Sequence, residues 1–113
     1  MVIWRKESNG IQLVNPNGIA LGFDRGPIFE RTCKEQLVRL GPGDRVVMYT
    51  DGIPESMDKD HEEFGDKRFY QLIQKVAARN SNQFVNIIVG KVDEHAADAE
   101  QHDDITILSF MVE

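Results

Sequence analysis

The sequence predicts an α+β fold: a largely antiparallel sheet with two helices packed on one of its faces. Three observations carry this. Short segments rich in β-branched and aromatic residues come first, separated by Gly, Asn and Pro clusters. Two stretches with helical apolar periodicity follow, and a last segment of high β-propensity closes the chain. Strands that precede a helix pair, instead of alternating with helices, favour antiparallel pairing over parallel crossovers.

Taken in order, Val2-Ile3-Trp4-Arg5 is strand-like, Asn9-Gly10 is a strong tight-turn signal, and Ile11-Gln12-Leu13-Val14 returns as a strand. Asn15-Pro16-Asn17-Gly18 is a second turn cluster, and the small apolar run Ile19-Ala20-Leu21-Gly22 suits close backbone packing. From Phe29 to Leu40 the apolar residues alternate loosely, with Phe29, Cys33, Leu37 and Leu40 as expected inward positions. Gly41-Pro42-Gly43-Asp44 turns the chain into Arg45 to Thr50, a buried strand, so these segments are expected to form a hairpin ending at Asp51-Gly52.

Residues 53–64 read as a polar loop. Asp66 is expected to N-cap a helix to about Arg79, with Phe69, Leu72, Ile73, Val76 and Ala77 on one face. Ser81 is expected to cap a second helix that turns Phe84, Val85, Ile88, Val89 and Val92 inward. A polar, Ala-rich stretch from Glu94 to Asp103 precedes a final strand from Ile105 to Val112. The expected core includes Val46, Met48, Ile73, Phe84, Ile107 and Phe110, with Trp4 in core or edge packing.

At 113 residues the chain suffices for one domain, and 41% hydrophobic with 28% charged residues is ordinary for a globular protein. No apolar run is long enough for a bilayer, so no membrane association is expected. The N-terminus lacks the apolar core of a signal peptide, which makes cytoplasmic the default location. A net charge of −6 argues against a nucleic-acid partner, which needs clustered cations. Cys33 stands alone, so no internal disulfide is available and core packing is its expected role. His61, His95 and His102 have no zinc-ligand spacing. The acidic loop from Asp58 fails as an EF-hand, because its sixth and twelfth positions are Glu63 and Phe69.

Two spots have the residue types for chemistry: Tyr49-Thr50-Asp51-Gly52-Ile53-Pro54-Glu55 and His102-Asp103-Asp104-Ile105-Thr106. In each, an Asp sits where an apolar strand meets a loop, held rigidly on one side and open to ions or substrate on the other. Carboxylates brought together repel unless a cation intervenes, and hard ions such as Mg²⁺ and Mn²⁺ select oxygen ligands. The plainer readings stand beside this one. Asp-Gly is often only a turn, Asp-Asp before a strand is often a solvated cap, and Glu55 and His102 suit a solvated loop as well as a site.

The string LGPGDRVVMYTDGIPES over residues 40–56 resembles the Thr-Asp-Gly stretch of bacterial PPM-type (protein phosphatase 2C-like) serine/threonine phosphatases of the SpoIIE/RsbU branch. The Gly18 to Gly22 loop, Glu63-Phe64-Gly65, the helix pair and HDDITIL over residues 102–108 resemble further family elements in the same order. The resemblance implies an αββα sandwich, two Mn²⁺ or Mg²⁺ ions, and attack of a metal-bound water on phosphoserine or phosphothreonine. It implies Asp51 and Asp103 as metal ligands, with Gly52, Glu55, Asp104 and His102 as neighbours behind them. The family's opening strand, with an Asp that bridges the metals, its Asp-Gly-His-Gly segment and its Gly-His-x-Pro element have no counterpart here. Residues 1–113 therefore correspond to the C-terminal portion of one such domain, and the chain alone is expected to be inactive. The implied substrate is a phosphorylated regulatory protein such as an anti-sigma-factor antagonist, and the implied control element is an upstream sensor or receiver domain. The alternative is a non-catalytic docking or dimerisation module of the same fold, a homodimer being one form of it.

Overall fold

The computed structural model describes residues 1–18 and 26–113. The Ile19-Ala20-Leu21-Gly22 run lies outside the described residues. The sheet has four strands, β1 (Val2–Arg5), β2 (Gly10–Leu13), β3 (Arg45–Tyr49) and β4 (Ile107–Met111), in the order β2-β1-β3-β4. Every pairing is antiparallel, with Trp4 opposite Ile11, Val2 opposite Val47 and Tyr49 opposite Ile107. Asn9, at φ 50°, forms the β1–β2 turn, and its Oδ1 accepts from Trp4 Nε1 at 2.7 Å. The helices are α1 (Pro27–Thr32), α2 (Asp66–Val76) and α3 (Ser81–Ala96).

Strand parity sorts the apolar side chains. Val2, Trp4 and Val47 join Phe69, Ile73, Phe84, Ile88 and Val92 in one core between sheet and helices. The opposite face holds a smaller cluster of Ile3, Val14 and Val46, with Val38 packed against it. Met48, Leu108 and Phe110 share that face and are 41%, 52% and 42% exposed, so Met48 and Phe110 are not the core residues the sequence led us to expect. The cause is register: Val46 pairs with Phe110 and Met48 with Leu108, which points all four away from the helices. A strand apolar on both faces carries no alternation that says which face the helices take.

The expected hairpin of 29–40 with 45–50 does not form. Pro27 stands at the start of α1, where its fixed φ suits a helix, and residues 33–40 run without regular structure. Both edges of β3 are taken, by β1 and β4. Cys33, Leu37 and Leu40 are consequently exposed, and Phe29 is half-buried. The caps also shift by one residue. Asn80, not Ser81, caps α3, its Oδ1 accepting from Gln83 N at 2.9 Å. Gly65, at φ 83°, precedes α2, so Asp66 lies in the first turn, where its charge suits the helix dipole. The helix ends at Val76, short of Arg79.

Two polar side chains fix the element ends. Asp44 accepts from Arg5 Nη1 at 2.6 Å, Gly41 N at 3.0 Å and Lys6 N at 3.1 Å. The Gly41 amide outweighs desolvation and, with the Arg5 guanidinium and the Lys6 amide, holds the Asp44 carboxyl below the usual carboxylate range. Arg45 is fully buried. It donates from Nε to Ala77 O at 2.7 Å, from Nη2 to Arg79 O, and from Nη1 to Ser109 Oγ at 2.9 Å and Ser81 Oγ at 3.3 Å. Its guanidinium carbon also lies 4.5 Å from the centre of the Phe84 ring.

Arg45→Met should lower stability by about 3 kcal/mol, because it orphans several acceptors at once, and Arg45→Lys should not restore it, since an ammonium lacks the fork. Denaturant unfolding checks both. The Asp44 carboxyl is depressed in the folded state, so its contribution is full above the unfolded carboxylate value and is lost as pH falls through the folded one. A pH series of urea midpoints on Asp44→Asn should therefore show that acid-sensitive limb flattened.

Candidate functional site

Register brings the two motifs together. Tyr49 and Ile107 are the last pair of β3 and β4, so Thr50 and the residues before Ile107 face each other just beyond the sheet. Thr50 N donates to Thr106 O at 3.1 Å. The Thr50 hydroxyl donates to Asp104 O at 2.8 Å and accepts from Thr106 N at 3.0 Å. Thr50, next to Asp51 in sequence, is thus the clasp between Asp51 and the Asp103-Asp104 pair. Gly52 completes the approach: a Cβ there would lie 2.4 Å from Asp104 O and 3.0 Å from Asp104 C. Its φ is not in the left-handed region, so close approach, and not a strained turn, is what calls for glycine here.

After Gly52 the chain turns back on itself, with Ile53 N donating to Thr50 O at 3.2 Å and Glu55 N to Asp51 O at 2.9 Å. The polar loop that follows is ordered by local bonds. Asp58 Oδ1 accepts from Asp60 N at 2.8 Å and Glu62 N at 3.0 Å, and Phe64 N donates to Ser56 O at 2.7 Å. The Glu62 and Asp60 amides hold the Asp58 carboxyl below its usual range.

A cavity of about 250 Å³ opens between this turn, the C-terminal part of α3 and the segment before β4. Gly52, Glu55, His102 and Asp103 all line it, with Ser56 and Met57 on one wall and Asp93 and Ala96 on the other. Asp51 lies outside it, on a neighbouring concavity bordered by Tyr49 and Tyr70. Burial, with the Tyr70 hydroxyl 3.2 Å away, pushes the Tyr49 phenol well above its usual range, so it stays neutral. Asp103 Oδ1 accepts from Asp104 N at 2.7 Å, and Asp104 contributes its carbonyl to the Thr50 clasp while its side chain is exposed. Among the described residues no three carboxylate, histidine or cysteine side chains converge as a metal-holding group. This chain therefore presents hard oxygen donors in two separate concavities without a complete ligand set among the described residues.

Two residues with a part in this arrangement had no role assigned from sequence. Thr50 lay inside the Thr-Asp-Gly motif, but its bonds depend on a partner strand distant in sequence. His95 pins the loop to α3: Nε2 lies 2.9 Å from Glu62 O, Nδ1 lies 3.2 Å from Arg68 Nη1, and the ring meets Phe64 edge-on at 5.5 Å. Its spacing from Ile88 and Val92, both buried on α3, was the available signal.

The chain matches the family described as SpoIIE, Stage II sporulation protein E, over residues 1–113. Among solved structures it is similar to the SiaA-PP2C domain of Pseudomonas aeruginosa, at 30% identity and a TM-score of 0.64. That likeness covers 67% of this chain and 31% of the other, so the matched part spans about a third of the solved relative. No curated protein matches.

Gly52→Ala should force the two motifs apart and cost about 1–3 kcal/mol. Amide chemical shifts at Asp104, Ile105 and Thr106 should move with it, while those of Phe84 and Ile88 stay in place.

Proposed function

The chain belongs to the SpoIIE family and is similar in fold to part of a PP2C domain, and from that premise we propose that it is the C-terminal portion of a metal-dependent protein serine/threonine phosphatase domain. The observation that supports this best is the Thr50 clasp, which ties Asp51 and Asp103-Asp104, the two carboxylate-bearing strand ends, together at one end of the sheet. Strand ends joined by backbone bonds hold carboxylates with little freedom, as an ion site requires.

In this reading Asp51 and Asp103 are metal ligands, and further ligands come from outside this chain. Bound Mn²⁺ or Mg²⁺ would supply charge neutralisation and a water of lowered pKa. The protein's own part is placement. Thr50 and Gly52 set the spacing of the two motifs, Glu55 and His102 line the cavity beside Asp103, and Asp104 fixes the backbone. The apolar face of Met48, Leu108 and Phe110 is where the rest of the domain would pack, since the solved relative extends well beyond the matched part. The substrate would be a phosphoserine or phosphothreonine on a regulatory protein such as an anti-sigma-factor antagonist, under an upstream sensor or receiver domain. No helix among the described residues is long and apolar enough to cross a membrane.

The test is a phosphatase assay with excess Mn²⁺ on this chain and on a longer protein carrying roughly another hundred residues upstream, about half a domain. The short chain should be inactive and the longer one active, with Asp51→Ala or Asp103→Ala each lowering turnover at least about a hundredfold. Robust turnover by the short chain, or a longer protein indifferent to both substitutions, would overturn the reading.

A further inference from the structure

We infer that His95 is a positioning residue that sets the aperture of the cavity beside Asp103. The cavity has two walls besides the segment before β4. One is the turn and loop carrying Glu55, Ser56 and Met57, and the other is the end of α3 with Asp93 and Ala96. His95 is on α3 and bonds directly to the loop, so it spans the two. The loop is folded on itself by Asp58 and by the Met57–Glu63 bridge, and it can therefore move as a unit. Buried Ile53 and Phe64 anchor the two ends of that unit in the core, and between them the imidazole is the contact that ties its outer part to α3 and α2.

The chemistry of those contacts fixes the imidazole's form. Glu62 O can only accept, so Nε2 carries the proton and donates across 2.9 Å. Nδ1 is then the acceptor for the Arg68 guanidinium at 3.2 Å. The neutral ring bridges α2, α3 and the loop, and the Phe64 ring against its edge fixes its plane. The Glu62 carbonyl also accepts from Asp58 N at 3.1 Å, so the tether attaches where the loop's own bonds converge. Pulling the tether loose would let Ser56 and Met57 swing from Asp93 and Ala96, which changes what can reach Glu55 and Asp103 without touching either.

The test separates a tether from packing. His95→Phe keeps an aromatic edge for Phe64 but has no donor, His95→Gln keeps a donor near the Nε2 position, and His95→Ala has neither. Amide hydrogen exchange of the intact chain should be about tenfold faster over residues 56–64 in His95→Phe and His95→Ala. It should return close to native rates in His95→Gln, with Val47, Phe69 and Phe84 unchanged in all three. Native protection in His95→Phe would show that ring packing suffices, and native protection in all three that the loop holds itself; either result overturns the inference. A second readout rests on the phosphatase reading: in the longer protein His95→Phe should raise KM for a phosphoprotein more than it lowers kcat. If the longer wild-type protein has no activity, that reading fails and the exchange data still decide the role of His95.

Discussion

Arg45 is the only charged side chain fully withdrawn from water among the described residues, and its hydrogen-bond partners are all neutral. A buried guanidinium is costly unless its donors are met, so its acceptors must arrive together or the fold is penalised. Those acceptors come from the end of α2, the start of α3 and the middle of β4. The carbonyls of Ala77 and Arg79 lie at and just beyond the C-terminus of α2, where a cation is favoured. Ser109 turns the same demand on β4, since its hydroxyl donates to Val46 O at 3.0 Å while accepting from Arg45. One side chain thus fixes the helix pair over the sheet and the register of β3 against β4.

That register has a consequence at the other end of the same strands. With Arg45 opposite Met111, Tyr49 must fall opposite Ile107, and the residues flanking the strands meet as Thr50 against Thr106. A slip of one residue would turn Arg45 to the opposite face and separate Gly52 from Asp104. The candidate site is therefore positioned from the core, by a group that never approaches it. The loop side is held differently, through buried Ile53 and Phe64, the internal bonds of Asp58 and the His95 bridge.

Much of this was legible in sequence where one signal dominated. The apolar stripes of α2 and α3, the Asn9-Gly10 turn and the strands around Trp4 and Val47 are read from periodicity and turn chemistry. The acidic strand ends were legible as residue types, and their meeting follows once β3 and β4 pair. The hairpin expected from residues 29–40 does not form because their loose alternation competes with the helix-starting Pro27, and because the sequence does not reveal that β1 already occupies the edge of β3. Met48 and Phe110 were misplaced because β3 and β4 are apolar on both faces, so parity could not say which face the helices cover. Neither the His95 bridge nor the Arg45 anchor could be read locally: each joins several elements, and only the assembled fold brings their partners within reach.

The central claim is that Asp51 and Asp103, on strand ends that the Thr50 clasp joins, serve one metal centre in the completed domain. Calorimetric titration of Mn²⁺ into the longer protein tests it without dependence on any substrate. The account predicts that Asp51→Ala and Asp103→Ala each weaken Mn²⁺ binding severely, and that the double variant is little worse than either alone, as for ligands sharing one site. Wild-type affinity in either single variant, with the fold intact, would contradict it.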